Sequence, residues 1–256
     1  MDEIRLARDG NGIATLILDR PRRKNAVPPS GWEVLRRIFH EVSQSATDRV
    51  LVVTGAGRDF CTGADLAAEV PTDHPLHLMA SVNAAALALH ECTKPTIAKV
   101  NGDAVGAGMN LALGCDLVVA GERARFSQIF ARRGLSLDFG GSWLLPRLVG
   151  MQKAKELALF GDILSAPEAM ALGLVNRVVP DDQLDAFVQD WAMRLASGAP
   201  LALRLNKKLL SNAFAVGLAE ALDAEAAAQS VNLVSEDVRE GFAAFLQKRS
   251  PTFRGR

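Results

Sequence analysis

Short aliphatic and β-branched runs that stop at glycine, separated by stretches with helical spacing of apolar residues, constrain this fold more than any other feature. Arg49 to Thr54 is such a run, closed by Gly55-Ala56-Gly57, and reads as a strand buried on both faces. Thr96 to Val100, Asp116 to Ala120 and Val175 to Val179 repeat the pattern. Between them the spacing predicts helices over Ser30 to Ser43, Ala80 to Glu91, Met109 to Leu113 and Lys153 to Phe160, with capping boxes at Ser30-Gly-Trp-Glu33 and Ser165-Ala-Pro-Glu168. Ile4 to Ala7 and Ile13 to Leu18 flank Asp9-Gly-Asn-Gly12 and read as an opening hairpin. Alternating strands and helices imply an α/β core. After Pro180 only helical spacing remains, through Leu184, Phe187, Val188, Trp191 and Leu195 and on to Lys248. The chain thus divides into an α/β core, residues 1–180, and a helical region, 181–256, that caps the core or forms a subunit interface.

Charge and cysteine usage narrow the partners. The 256 residues carry 29 Lys+Arg against 29 Asp+Glu, so no global excess suits a nucleic acid or an anionic membrane, and any anion must be held locally. Three scattered cysteines, Cys61, Cys92 and Cys115, make neither a disulfide framework nor a CxxC site, which fits a reducing cytoplasm. The N-terminus lacks the pattern of a signal peptide, and the most apolar stretch, Pro95 to Ala120, is broken by Lys99, Asp103 and Asp116, so no membrane span is expected.

Two strand-to-helix turns could carry chemistry. Gly106-Ala107-Gly108 lets a ligand approach the backbone, and free N–H groups at the following helix favour negative charge. A dinucleotide fingerprint would need Gly at position 111, which is Leu, and no Gly-Lys-Ser/Thr phosphate loop is present. The turn Thr54 to Leu66 has the same character. Together the two turns could aim two N–H groups at one oxygen, the requirement for an oxyanion hole.

Phe60-Cys-Thr-Gly-Ala-Asp-Leu66 and Asn101-Gly-Asp-Ala-Val-Gly-Ala-Gly108 with Cys115-Asp116 resemble the enoyl-CoA hydratase/isomerase (crotonase) superfamily. So do Asp19 to Ala26, Asp138-Phe-Gly-Gly-Ser-Trp143 to Gly150, Ser165 to Asn176 and Phe245 to Arg256, all in family order. The resemblance implies a crotonase-like spiral of repeated β-β-α units, an all-helical C-terminal region that forms a homotrimer or a dimer of trimers, and an acyl-CoA thioester substrate. It implies that the thioester oxygen sits between the backbone N–H groups of Ala64 and Ala107. Gly63, Asp65, Leu66, Gly106, Gly108 and Trp143 would line the substrate, and the basic loop Arg20-Pro-Arg22-Arg-Lys24 with Ala26 would flank the CoA adenine and phosphates. Coenzyme A is then part of the substrate, and neither a separate cofactor nor a metal is expected.

The family's hydratases use two glutamates, and those positions here are Asn110 and Phe130. Neither carries a proton at neutral pH, which argues against ordinary hydration. Asp138 falls where family double-bond isomerases, and the ring-opening isomerases of phenylacetate breakdown, carry an acid before Gly-Gly. Its apolar neighbours Leu135, Leu137, Phe139 and Trp143 would desolvate it and strengthen it as a base. Isomerisation through Asp138 is therefore the first expectation; a hydratase with a non-standard base and a non-catalytic acyl-CoA or RNA-binding relative are the alternatives. Dehalogenation would need a Trp where Phe130 stands and a His where Asn83 stands.

Other candidates are weaker. Asp73-His74-Pro-Leu-His77, beside Pro71, reads as a solvated loop without metal-ligand geometry, and Pro71 to Val82 reads as a wall of the acyl pocket. His90 reads as a packing or capping residue, Cys61 as a buried small hydrophobe. Ser142 fails the nucleophile elbow because Leu144 replaces its last glycine.

Overall fold

The computed structural model describes residues 3–68 and 74–256. Strands β1 (Ile4–Arg8) and β2 (Ile13–Leu18) form the expected hairpin, with Asp9 Oδ1 accepting from the Asn11 and Ile13 amides. The chain continues through α1 (Gly31–Gln44), β3 (Val50–Gly55), α2 (Pro75–His90), β4 (Thr96–Val100), β5 (Asp103–Val105) and α3 (Ala107–Leu113). Next come β6 (Leu117–Gly121), β7 (Arg125–Ser127), α4 (Gly141–Phe160), β8 (Leu164–Ser165), α5 (Ala166–Ala171) and β9 (Arg177–Val179). Four helices follow: α6 (Leu184–Ala196), α7 (Pro200–Asn212), α8 (Leu218–Leu233) and α9 (Glu236–Gln247).

The strands form two sheets. The larger has the order β1-β2-β3-β4-β6-β9, parallel from β2 onward; the smaller is β5-β7-β8. Each turn of chain lays one segment in the large sheet, a second on the smaller layer, then a helix. The units β4-β5-α3 and β6-β7-α4 show this fully. In the earlier turns the second segment shrinks to single bridges, Cys61 to Ala104 and Val27 to Ala64. This is a spiral of β-β-α units.

Burial explains why β3 is a continuous apolar run. All six of its residues are buried. Leu51 and Val53 point into the main core with Trp32, Leu35, Phe39 and Val100, while Val50 and Val52 point to the opposite face, where Leu184, Val188 and Ala192 of α6 cover the sheet. Helix α6 therefore packs directly on the sheet. Helix α7 has no buried residue and α8 only Ala228, and Leu210, Phe214, Leu218, Val234, Phe245 and Leu246 stand exposed along α7 to α9. Among the described residues no helix is long and apolar enough to cross a membrane.

Several local expectations are corrected. The box at Ser165 forms, with Glu168 accepting from the Ser165 amide at 2.8 Å, but the one at Ser30 does not. Ser30 lies in the helical region (φ −71°, ψ −19°), so its hydroxyl does not face the first-turn amides, and Glu33 pairs with Arg36. Exposed His77 lies in the first turn of α2 and not in a loop, while exposed His74 is the extended residue directly before that helix. Pro75 is the first residue of α2, where its missing N–H costs nothing, and His74 Nδ1 accepts from the Leu76 amide. Pro71 to Asp73 lie outside the described residues. Helix α4 reaches back to Gly141, well before Lys153, and changes direction at Gly150 (φ 75°, ψ 161°).

Candidate functional site

The two glycine turns meet. Gly63 has φ 86°, and a β-carbon there would lie 3.1 Å from the Val105 carbonyl oxygen and 3.2 Å from the Ala107 nitrogen, so only glycine lets the backbones approach this closely. A β-carbon on Gly108 would overlap the Cys61 carbonyl. The Cys61 amide donates to the Asp103 carbonyl at 2.9 Å and the Val105 amide donates to the Cys61 carbonyl at 2.9 Å, which joins the two turns like strands.

This pairing fixes where Ala64 points. In the parallel bridge to Val27, the Val27 amide donates to Gly63 O (2.8 Å) and the Asp65 amide donates to Val27 O (2.9 Å). Ala64's own N–H is therefore turned to the other side. Ala107 is the first residue of α3, a position whose N–H has no intrahelical partner. Among the described residues neither amide donates to any acceptor. Phe130 is buried beside them, its ring edge 3.6 Å from where a Gly106 β-carbon would stand.

Asp138 approaches from the end of the chain segment before α4. Its carbonyl accepts from Gly141 N at 2.9 Å, closing a four-residue turn in which both central residues, Phe139 (φ 45°) and Gly140 (φ 80°), have positive φ. A bulky residue seldom adopts that conformation. Phe139 is held in it by burial at 2% exposure against Trp32, ring centroids 5.6 Å apart. The carboxylate Oδ1 of Asp138 is buried without a hydrogen-bond partner. Burial alone pushes the group from its ordinary 3.8 up to about 6.

Asn110 joins these two parts. It lies one turn into α3 from Ala107, fully buried, and its Nδ2 donates to the Asp138 carbonyl at 2.8 Å. Its Oδ1 accepts from Gln128 Nε2 at 2.8 Å. No motif singled out Gln128, because its partner lies 18 residues away in sequence. A cavity of about 380 Å³ opens beside Phe139 and Gly140, walled by Ala86, Leu87 and His90 of α2 and by Trp143 and Leu144 of α4. Trp143, 40% exposed, meets the His90 ring edge-on at 5.2 Å and carries the Arg147 guanidinium 3.9 Å above its own ring.

The basic loop divides by partner. Arg20 pairs with Asp65 at 2.9 Å and with Glu3 at 3.1 Å and donates to the Ala26 carbonyl. Burial would raise the Asp65 carboxyl, but the Ala67 amide and Arg20 together hold it below its ordinary value. Lys24 reaches Asp103 at 3.0 Å, beside the bidentate Arg125, while Arg22 is exposed and Leu66 is 70% exposed. Cys61 is fully buried, which pushes its thiol up to about 12, out of reach of nucleophilic use. Among the described residues no three His, Cys, Asp or Glu side chains converge as metal ligands would.

The family profile for enoyl-CoA hydratase/isomerase matches residues 8–256. The chain belongs to that family. An enoyl-CoA hydratase from Bacillus anthracis superposes with TM-score 0.95 at 32% identity, covering 100% of both chains. The enoyl-CoA hydratase/isomerase relatives include a 1,2-epoxyphenylacetyl-CoA isomerase of Escherichia coli, 40% identical over 262 residues with 100% of both chains covered. A probable enoyl-CoA hydratase of Rhodobacter capsulatus is 40% identical over 251 residues, covering 96% of this chain and 95% of its own. A 2,3-dehydroadipyl-CoA hydratase of Escherichia coli is 37% identical over 247 residues. The crotonase fold and the family's enzyme character expected from the motifs therefore hold.

Proposed function

We propose that this enzyme moves the double bond of an acyl-CoA thioester, with Asp138 as the single proton carrier. The observation that carries the reading is a lone carboxylate with an unpartnered, buried oxygen and an acidity near 6, on the residue directly before Phe139 and Gly140, which line an apolar cavity. A group titrating there is a competent base and, once protonated, a competent acid at neutral pH. Asp138 takes a proton from C2 of a 3-enoyl thioester. The resulting dienolate oxygen accepts from the Ala64 and Ala107 amides, and Asp138 returns the proton at C4. Preorganised amides of this kind are worth about 3 kcal/mol of barrier each, because the oxygen gains charge in the transition state. The reaction needs no separate cofactor, since the thioester itself acidifies C2.

The mainly apolar cavity between α2 and α4 suits an apolar acyl group. Arg22 is free to meet the CoA phosphates, and Lys24 can do so from its pairing with Asp103. The exposed apolar residues of α7 to α9 support a homotrimer or dimer of trimers through this region. Three buried, unpaired thiols support action in the cytoplasm. Hydration remains the second reading, favoured by the hydratase names of the Rhodobacter capsulatus and Escherichia coli relatives. Asp138→Asn tests the proposal: turnover of 3-enoyl-CoA should vanish while binding of an unreactive acyl-CoA stays within about twofold of the parent. Undiminished turnover sinks it.

A further inference from the structure

We infer that Gln128 and Asn110 form a positioning relay that holds the Asp138 carboxylate in register with the Ala107 amide; the inference rests on the acid–base reading of Asp138 and deepens it. Gln128 is 1% exposed and Asn110 0%, so neither amide is there for solvent. The Asp138 carbonyl can only accept. It therefore fixes Asn110 with Nδ2 toward Asp138 and Oδ1 toward Gln128, and that in turn fixes Gln128 with Nε2 toward Asn110. The direction leaves Gln128 Oε1 buried without a partner, a cost that flipping the amide would only replace by opposing Oε1 to Asn110 Oδ1.

The relay meets the active-site turn at its most strained point. Phe139 follows Asp138 with φ 45°, and the Asp138 carbonyl is the group through which α3 grips that turn. A β-carbon on Gly141 would lie 2.5 Å from Asn110 Nδ2, so the glycine clears the space in which the grip is made. Because α3 begins with Ala107 and holds Asn110 three residues on, one short helix sets both the proposed oxygen site and the proposed base. A ligand atom reacting between the two needs both fixed. Misplacement of about 1 Å can cost about a hundredfold in rate.

Gln128→Met, of similar length but unable to donate, tests the relay. With Asn110 released, kcat on a 3-enoyl-CoA should fall about tenfold to a hundredfold while KM stays within about twofold. The loosened turn should also hydrate Asp138. Burial is the one cause that lifts this carboxyl, and no ionisable side chain contributes, so the acid limb of kcat/KM should move below its position near 6. If Gln128→Met does not fold, Gln128→Leu, uncharged and likewise unable to donate, gives the same two readings. Wild-type kcat with an unmoved acid limb in a folded variant overturns the relay, as does a rise in KM with kcat unchanged. Asp138→Asn run alongside separates the layers. If that variant turns over normally, the acid–base reading falls and the relay with it; if it is dead while the Gln128 variants behave as wild type, the relay alone falls.

Discussion

Relative to the parent protein, the Asp138→Asn variant should gain stability as pH rises from 4 to 8. Burial lifts the carboxyl from 3.8 to about 6 in the folded state, a little over two decades in acidity. At 1.36 kcal/mol per decade this corresponds to about 3 kcal/mol as an upper value. The sign follows from proton uptake: between the two pKa values the folded chain holds a proton that the unfolded chain has lost, so stability falls as pH rises. The contribution is fully present below 3.8 and is lost as pH rises through about 6. Asn cannot ionise and is spared that loss. Any fixed cost of placing an amide where Oδ1 lies buried is independent of pH and drops out of the slope. Urea unfolding of both proteins at equal protein concentration, from pH 4 to pH 8, reads the difference directly. The gap should open by up to about 3 kcal/mol in favour of Asn, most of it between pH 4 and 6.5. Parallel stability curves, or a gap that opens the other way, would refute the claim that Asp138 is an unpaired buried carboxyl.

Other outcomes follow from the same geometry. Gly63→Ala forces a side chain into left-handed backbone 3.2 Å from the Ala107 nitrogen, and kcat should drop about a hundredfold or more with little change in thioester binding. Steady-state kinetics check this, and wild-type kcat would contradict the convergence of the two turns. Native protein should resist iodoacetamide at all three cysteines and keep its activity, since all are buried, while urea should expose them; mass spectrometry counts the adducts. Arg22→Glu should weaken acetyl-CoA binding several-fold at low ionic strength and much less at 0.5 M salt, by calorimetry, because an exposed charge is screened.

Much of the architecture is written in local pattern. The runs at Val50–Gly55 and Thr96–Val100 stand out because both faces are buried, and the α1 stripe of Trp32, Leu35, Ile38, Phe39 and Val42 recurs at helical spacing. The three-stranded sheet does not stand out. Its strands run two or three residues, too short for periodicity, and depend on partners far along the chain, such as Arg125 on Asp103. The site divides the same way. Gly63, Ala64, Gly106, Ala107 and Asp138 sit in turns with recognisable composition. Gln128 carries no such mark, since its role exists only once β7 brings it to α3. Pro75 misleads because proline is equally at home in a loop and at the first position of a helix.

The most direct test of the central claim, that one carboxylate shuttles a proton on a CoA thioester held by two backbone amides, is a matched panel of 2-enoyl- and 3-enoyl-CoA substrates in deuterated water. NMR and mass spectrometry would record isomerisation, exchange and hydration together. The account predicts interconversion of the two enoyl forms with deuterium entering at C2 or C4 and no 3-hydroxyacyl product, all abolished by Asp138→Asn. Accumulation of 3-hydroxyacyl-CoA without isomerisation, or normal exchange in the Asn variant, would contradict it.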